Sequence, residues 1–90
     1  MRFRVELSRD AQEQFLRFPK DAQARIVRAI DEFQGRDDSQ WSNVKALQGT
    51  EWKGRYRKRV GPYRIVFRKF PGRGVLEISA IVIKSKDTYR

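Results

Sequence analysis

The first third of the chain contains two kinds of hydrophobic pattern. Residues 2–7, RFRVEL, alternate polar and apolar side chains, which predicts a half-buried strand. Apolar residues then recur at intervals of three and four over Arg9–Phe18 and again over Lys20–Gln34, which predicts two amphipathic helices. Ser8 is the expected N-cap of the first helix, and Pro19 separates the two. This part of the chain therefore predicts a strand followed by a helical hairpin.

The second half of the chain has the pattern of antiparallel strands. The stretch Trp52–Phe70 places Gly61-Pro62 between two runs rich in aromatic and β-branched residues, which predicts a tight hairpin. A second turn is expected over Pro71–Gly74. The most apolar run, Val75–Ile83, follows it and is predicted to be a strand near the centre of the sheet.

These elements predict one α+β domain that spans residues 1–90 in the order β-α-α-β-β-β. The two N-terminal helices are expected to pack on one face of a small, mainly antiparallel sheet. The segments 36–42 and 43–51 are interpreted as loop and turn. Trp41 is expected to plug one end of the core, with a lid or a base-stacking platform as the alternatives.

The predicted hairpin separates charged from apolar side chains. A loop at Gly61-Pro62 sets Arg59 opposite Arg64 and Arg57 opposite Val66, and directly opposed residues share a face. We expect the helices to cover the apolar face and the cationic face to stay open as the floor of a shallow groove. Because like charges repel across paired strands, Arg59 opposite Arg64 suggests an anion between them. The cationic face comprises Lys53, Arg55, Arg57, Arg59, Arg64, Val66 and Arg68; the apolar face comprises Trp52, Gly54, Tyr56, Val60, Tyr63, Ile65 and Phe67, with Lys58 and Lys69 as exceptions.

The distribution of charge supports a polyanionic partner. The net charge is +10, and residues 51–90 hold 12 basic and 3 acidic residues, whereas residues 1–50 hold 9 and 8. Such an asymmetry within one small domain is typical of proteins that bind nucleic acid.

Composition also excludes several kinds of site. The chain has no cysteine and no histidine, so disulfides, thiolate metal sites and Ser-His or Cys-His catalytic pairs are excluded, and no metal or cofactor is expected. It has no apolar run of about 18 residues, so no transmembrane helix and no membrane partner are expected. The N-terminus lacks the apolar core of a signal peptide, which favours a cytoplasmic location.

Three motifs resemble those of a known family. Tyr56–Phe67, YRKRVGPYRIVF, is similar to the YRxRVGxYRxxY stretch of the RelE/ParE toxin superfamily, with Phe67 in place of the last tyrosine. Val44–Gly49 is similar to its KxLxG segment, and Lys86–Arg90 to its C-terminal RKDVYR. Within this superfamily the chain most resembles the RelE-type messenger-RNA interferases.

The resemblance implies a type II toxin that enters the ribosomal A site and cuts mRNA by metal-independent attack of the 2′-hydroxyl. It implies contact with ribosomal RNA and neutralisation by an antitoxin in a hetero-oligomer. The matching positions imply that Arg57 and Arg59 handle the 2′-hydroxyl and the scissile phosphate, that Arg64 contacts phosphate, and that Tyr89 stacks on a base. Further RNA contacts are expected from Lys53, Arg55, Arg68 and Lys86.

One departure from the family pattern leaves alternatives open. Ser85 stands where the family has an arginine that assists the leaving oxygen, and Lys84 or Lys86 is the expected substitute. Arginine stays protonated and is a poor general base. The alternatives are a ParE-like inhibitor of DNA gyrase and a non-catalytic RNA- or ribosome-binding relative. The candidates for the base are Lys53, Lys58, Lys84, Lys86, Tyr89 and Glu51.

Overall fold

The computed structural model describes residues 1–83, so the predictions for Lys84, Ser85, Lys86 and Tyr89 lie outside the described residues. No helix within residues 1–83 is both long enough and apolar enough to cross a bilayer. The helices and strands are β1 (Arg4–Leu7), α1 (Arg9–Arg17), α2 (Lys20–Gly35), β2 (Val44–Ala46), β3 (Tyr56–Val60), β4 (Tyr63–Phe70) and β5 (Val75–Ile83).

The strands form one five-stranded sheet in the order β1-β5-β4-β3-β2. Strand β1 pairs with β5 in parallel, and the other neighbours are antiparallel. The predicted α+β class, with two helices before a mainly antiparallel sheet, is confirmed. The structure adds the short edge strand β2, which lies where the sequence indicated only a turn and packing residues.

The two helices form as the apolar pattern predicts. Ser8 caps α1, because its Oγ accepts a hydrogen bond from the Ala11 N–H at 3.1 Å. Helix α2 starts after Pro19, which supplies no side-chain cap. Both helices pack on the same face of the sheet, against β1, β3 and β5. The buried core between helices and sheet comprises Phe3, Ala11, Ile26, Ala29, Phe33, Ile65, Phe67, Leu76, Ile78 and Ile81.

Aromatic rings close one end of this core, as predicted for Trp41. The Trp41 ring lies 4.8 Å from the fully buried ring of Phe33 and 5.7 Å from that of Phe3. Phe33 in turn lies 4.9 Å from Phe67 of β4. Trp41 thereby joins the loop after α2 to the helix and the sheet.

A β-bulge in β5 was not predicted. Val66 is opposite Ala80 but Phe67 is opposite Ile78, so Ser79 is an extra residue in β5. The bulge lets Ile78 and Ile81 both face the core, although they are three residues apart.

Candidate functional site

The hairpin of β3 and β4 has the predicted register. Arg59 lies opposite Arg64, Arg57 opposite Val66, and the two-residue turn is Gly61-Pro62. Gly61 has φ +57°, a left-handed conformation that glycine adopts without a Cβ clash. Arg57 and Arg59 therefore share the face that points away from the helices.

Asn43 holds both of these arginines at the edge of the sheet. Its carbonyl oxygen accepts hydrogen bonds from the Arg57 Nη1 at 2.9 Å and from the Arg59 backbone N–H at 3.0 Å. Its side-chain Oδ1 accepts another from the Arg59 Nη2 at 3.1 Å. Asn43 has φ +59°, a left-handed backbone that asparagine tolerates better than most residues. In this conformation the carbonyl oxygen of Asn43 meets the Arg57 guanidinium and its side-chain Oδ1 meets the Arg59 guanidinium.

Lys45 adds a third cation beside them. It lies on β2 directly opposite Arg57, so the two side chains share a face, and it is exposed. An open cleft of about 360 Å³ lies at this edge, which we call the β2-edge cleft. Its lining residues are Trp41, Asn43, Val44, Lys45, Arg57 and Arg59.

Arg64 does not join the β2-edge cleft. Its Nη1 turns back to the hairpin turn and donates to the carbonyl oxygens of Gly61 at 2.8 Å and Tyr63 at 2.9 Å. Only 8% of Arg64 is exposed. Each of these two opposed guanidiniums therefore has its own oxygen acceptors, and an anion between them stays a prediction.

The face away from the helices is also less open than expected. Arg64 and Val66 point to this face, yet they are 8% and 2% exposed. The expectation of a continuous open cationic floor is therefore wrong at these two positions. The accessible part lies at the edge formed by β2 and the end of the α2–β2 loop, around Arg59 and Lys45.

A buried ion pair supports Asn43 from the helix side. The Lys58 Nζ lies 2.6 Å from the Glu32 Oε1 and donates to the Ser42 carbonyl oxygen at 2.7 Å. The Glu32 Oε2 accepts from the Ser42 N–H at 2.8 Å. Lys58 is 4% exposed and faces the helices, as the hairpin pattern predicted. The pair thus ties α2 and β3 to the residue that immediately precedes Asn43.

Electrostatics favour the charged form of Glu32. Burial raises the pKa of this carboxyl, but hydrogen bonds from Lys58 and Ser42 and the Lys58 charge outweigh that effect. The net result is a pKa below the ordinary value for glutamate. Lys58 is therefore engaged by a carboxylate and two Ser42 oxygens, which makes it a poor candidate for the general base.

Among residues 1–83, the other predicted RNA contacts, Lys53, Arg55 and Arg68, do not line this cleft. Lys53 and Arg55 lie in the turn before β3, where the Arg55 N–H donates to the Trp52 carbonyl oxygen at 2.9 Å. Arg68 lies opposite Glu77 of β5, and its guanidinium sits 5.4 Å from the ring centroid of Phe70. Their proposed contacts with RNA stay predictions.

The sequence analysis missed two residues of the cleft, Asn43 and Lys45. The signal for Lys45 was its alternation with Val44, which packs against the core. Asn43 carried only a general signal, because asparagine is enriched at left-handed positions. Nothing in the sequence indicated that its oxygens meet Arg57 and Arg59.

This arrangement is suited to binding a phosphodiester. Guanidinium groups give charge-assisted, two-pronged hydrogen bonds to phosphate oxygens and stabilise the extra negative charge of a phosphorane. RNA supplies its own nucleophile in the 2′-hydroxyl. Within residues 1–83, no group of three or more Asp and Glu side chains is arranged to hold a metal ion.

Solved structures of toxins from toxin–antitoxin systems have the same fold. A chain of the RelBE2 toxin–antitoxin complex from Mycobacterium tuberculosis superposes with a TM-score of 0.72 at 21% identity, covering 93% of this chain and 100% of that one. The archaeal RelE–RelB complex from Pyrococcus horikoshii gives 0.70 at 23% identity, with coverage of 96% and 99%. The isolated RelE toxin from E. coli gives 0.71 at 12% identity, with coverage of 98% and 89%.

These likenesses extend over nearly the whole chain, so its fold is that of the RelE-type toxins. The resemblance inferred from the hairpin motif is thus confirmed at the level of the fold. No protein-family model matches the sequence, and no curated protein matches it significantly.

Proposed function

We propose that this protein is the toxin of a type II toxin–antitoxin system and acts as an endoribonuclease on mRNA in the ribosomal A site. The observation that carries the proposal is the pair of guanidiniums, Arg57 and Arg59, that Asn43 holds at the exposed β2 edge of a RelE-type fold. The partners are then a cognate antitoxin, mRNA and ribosomal RNA. The proposed location is the cytoplasm, where translating ribosomes are found.

The proposed reaction is attack of the RNA 2′-hydroxyl oxygen on the adjacent phosphorus. A bond forms between these atoms and the bond from phosphorus to the 5′-oxygen breaks, which leaves a cyclic phosphate and a 5′-hydroxyl. Arg57 and Arg59 stabilise the charge that develops on the phosphate oxygens. The ribosome supplies alignment of the message, which can lower a barrier by about 7–11 kcal/mol. The 2′-hydroxyl gives its proton to a base, and the departing 5′-oxygen takes up a proton from an acid. The predicted contributors to these transfers are Lys84, Lys86 and Tyr89 of the C-terminal segment, with Lys53 and Glu51 as further candidates for the base.

The test is cleavage of a messenger on ribosomes programmed with a known codon in the A site, read by primer extension. We expect cleavage by the natural protein and a loss of about 10²–10³ in rate for Arg59→Ala, the usual cost of removing one such donor. The matched control is Arg73→Ala, which removes an equal charge beside Phe70, after the end of β4. Equal cleavage by Arg59→Ala and Arg73→Ala would refute the assignment of the site.

A specific observation favours one alternative, a non-catalytic ribosome-binding relative. Lys58 is buried in an ion pair and Arg64 is sequestered at the hairpin turn, so two of the predicted groups do not face the β2-edge cleft. Salt-dependent binding to translating ribosomes with an intact message would select this alternative. Intact messages together with DNA breaks after induction would instead select the ParE-like gyrase inhibitor.

A further inference from the structure

A second basic cleft lies on the helix side of the same edge. It has a volume of about 290 Å³ and opens between α2 and the β3–β4 hairpin turn; we call it the α2–turn cleft. Its lining residues are Arg25, Arg28, Ala29, Glu32, Asn43, Lys58, Arg59, Val60 and Gly61. Neither the hairpin pattern nor the resemblance to the RelE/ParE superfamily indicated this site.

Two exposed arginines of α2 supply the new positive charge. Arg25 and Arg28 are three residues apart and therefore project from the same side of the helix. The Arg25 Nη1 reaches the hairpin turn, where a Cβ added to Gly61 would lie 3.0 Å from it. Arg25 thus bridges the mouth of the cleft from the helix to the turn.

The charge in this cleft is not neutralised locally. Among residues 1–83, neither Arg25 nor Arg28 forms an ion pair or a hydrogen bond through its side chain. The one acidic residue in the lining is Glu32, and Lys58 already engages its carboxylate at 2.6 Å. Arg25, Arg28 and Arg59 therefore leave about three uncompensated positive charges around one small cleft.

The α2–turn cleft adjoins the β2-edge cleft. Asn43 and Arg59 line both of them. The Arg59 guanidinium is held by the Asn43 Oδ1 between the two spaces, so a row of cations runs from Lys45 and Arg57 past Arg59 to α2. The one acidic residue that lines either cleft is Glu32, which Lys58 already pairs.

We propose that the α2–turn cleft binds a backbone phosphate of the same single-stranded RNA whose neighbouring phosphate occupies the β2-edge cleft. The inference rests on the proposed function, because it takes RNA as the polyanion at Arg57 and Arg59. Guanidiniums without acidic partners suit a phosphate group, and a contact with the backbone carries no base specificity. Arg59 is shared by two successive phosphates in this arrangement.

The test measures binding of a fluorescently labelled oligouridylate by anisotropy over a range of KCl concentrations. For a single strand, each phosphate that the protein neutralises adds about 0.7 to the steepness of log K plotted against log salt concentration. We expect the double variant Arg25→Ala, Arg28→Ala to bind more weakly and to lower the slope by about 0.7, the value for the one phosphate contact that is lost. Both side chains are exposed, so the thermal midpoint by circular dichroism should stay close to that of the natural protein.

The matched control is the double variant Arg2→Ala, Arg9→Ala. It removes the same charge from two exposed residues on the β1 side, which is the opposite edge of the sheet. Equal slopes for the two double variants would overturn the proposal, since they would show only an effect of net charge. Unchanged RNA binding with lost binding of polyglutamate would also overturn it and would identify an acidic protein segment as the occupant.

The failure of this inference is distinguishable from the failure of the proposed function. If Arg59→Ala abolishes cleavage on ribosomes while the Arg25, Arg28 variant has the control slope, the nuclease proposal stands and the second phosphate site is refuted. If the natural protein binds RNA with the expected slope change but cuts no message, the α2–turn cleft stands and the nuclease proposal is refuted.

Discussion

Replacing Glu32 by glutamine tests the buried ion pair that supports the site. The carboxylate lies 2.6 Å from the Lys58 Nζ and also accepts from the Ser42 N–H at 2.8 Å. The side chains of Glu32 and Lys58 are only 18% and 5% exposed. Glutamine has nearly the same shape and keeps an oxygen acceptor, but it removes the negative charge that the buried ammonium faces.

The loss in the free energy of unfolding depends on which hydrogen bonds to Lys58 remain after Glu32→Gln. Removing one partner of a buried pair typically costs about 3–5 kcal/mol, because the other charge stays buried without compensation. The Ser42 carbonyl oxygen still accepts from Lys58, and the glutamine oxygen can still accept one hydrogen bond. We therefore expect Glu32→Gln to lower the free energy of unfolding by about 2–3 kcal/mol, below the full range.

The assay is urea unfolding at neutral pH, followed by circular dichroism. A double-mutant cycle with Lys58→Met isolates the pair from the loss of each side chain alone. The Glu32→Gln, Lys58→Met double variant should be more stable than Glu32→Gln, since a buried unpaired charge is replaced by an apolar chain. A loss below about 0.5 kcal/mol for Glu32→Gln would mean that solvent already screens the pair, and the reasoning would fail.

The pH dependence supplies an independent check. The pKa of Glu32 is lower in the folded protein than its ordinary value, so folding favours the ionised form. The stability that this contributes is fully present above the unfolded pKa of about 4.3 and is lost as the pH falls through the folded value. The difference in stability between the natural protein and Glu32→Gln should therefore be constant above about pH 5 and should narrow in acid. A constant difference down to pH 3 or so would show that ionisation of Glu32 does not stabilise the fold.

Two further predictions concern the Asn43 clamp and the aromatic core. Asn43→Gly keeps the left-handed backbone and the carbonyl that Arg57 contacts, but it deletes the hydrogen bond to the Arg59 guanidinium. RNA affinity should therefore fall about fivefold, or roughly 1 kcal/mol, at unchanged thermal stability. Anisotropy titration measures this affinity, and an undiminished affinity would rule out the clamp. Phe33→Ala removes a fully buried ring and should lower the free energy of unfolding in urea by about 3–5 kcal/mol. Leu16→Ala, at a side chain 73% exposed, should leave this free energy nearly unchanged. Equal losses would contradict the core assignment.

Local patterns in the sequence predicted both helices, strands β1, β3, β4 and β5, and the hairpin. Alternation and helical spacing reflect which face of each element is buried, and this depends on residues close together in the chain. The register that sets Arg59 opposite Arg64 followed from the two-residue turn at Gly61-Pro62 alone. The α+β class and the order of these elements were therefore predictable from residues that act over short distances.

Local patterns did not predict the edge strand β2 or the bulge in β5. Strand β2 has only three residues, Val44–Ala46, and it exists because β3 offers hydrogen bonds to it. The extra residue Ser79 in β5 is visible only once β4 fixes the pairing on either side of it. Both features depend on a partner strand that is distant in sequence, so no local pattern predicts them.

The sequence by itself determined that arginines at alternate positions share one face, because strand geometry points every second side chain the same way. Only the tertiary structure decided what each guanidinium does there. Arg64 bends back to the turn carbonyls, whereas Arg57 and Arg59 meet the oxygens of Asn43. The long, flexible arginine side chain takes its direction from the acceptors within its reach. Arg64 finds its acceptors in its own hairpin turn, whereas the acceptors of Arg57 and Arg59 come from a loop that the Glu32–Lys58 pair, across the helix–sheet interface, holds in place.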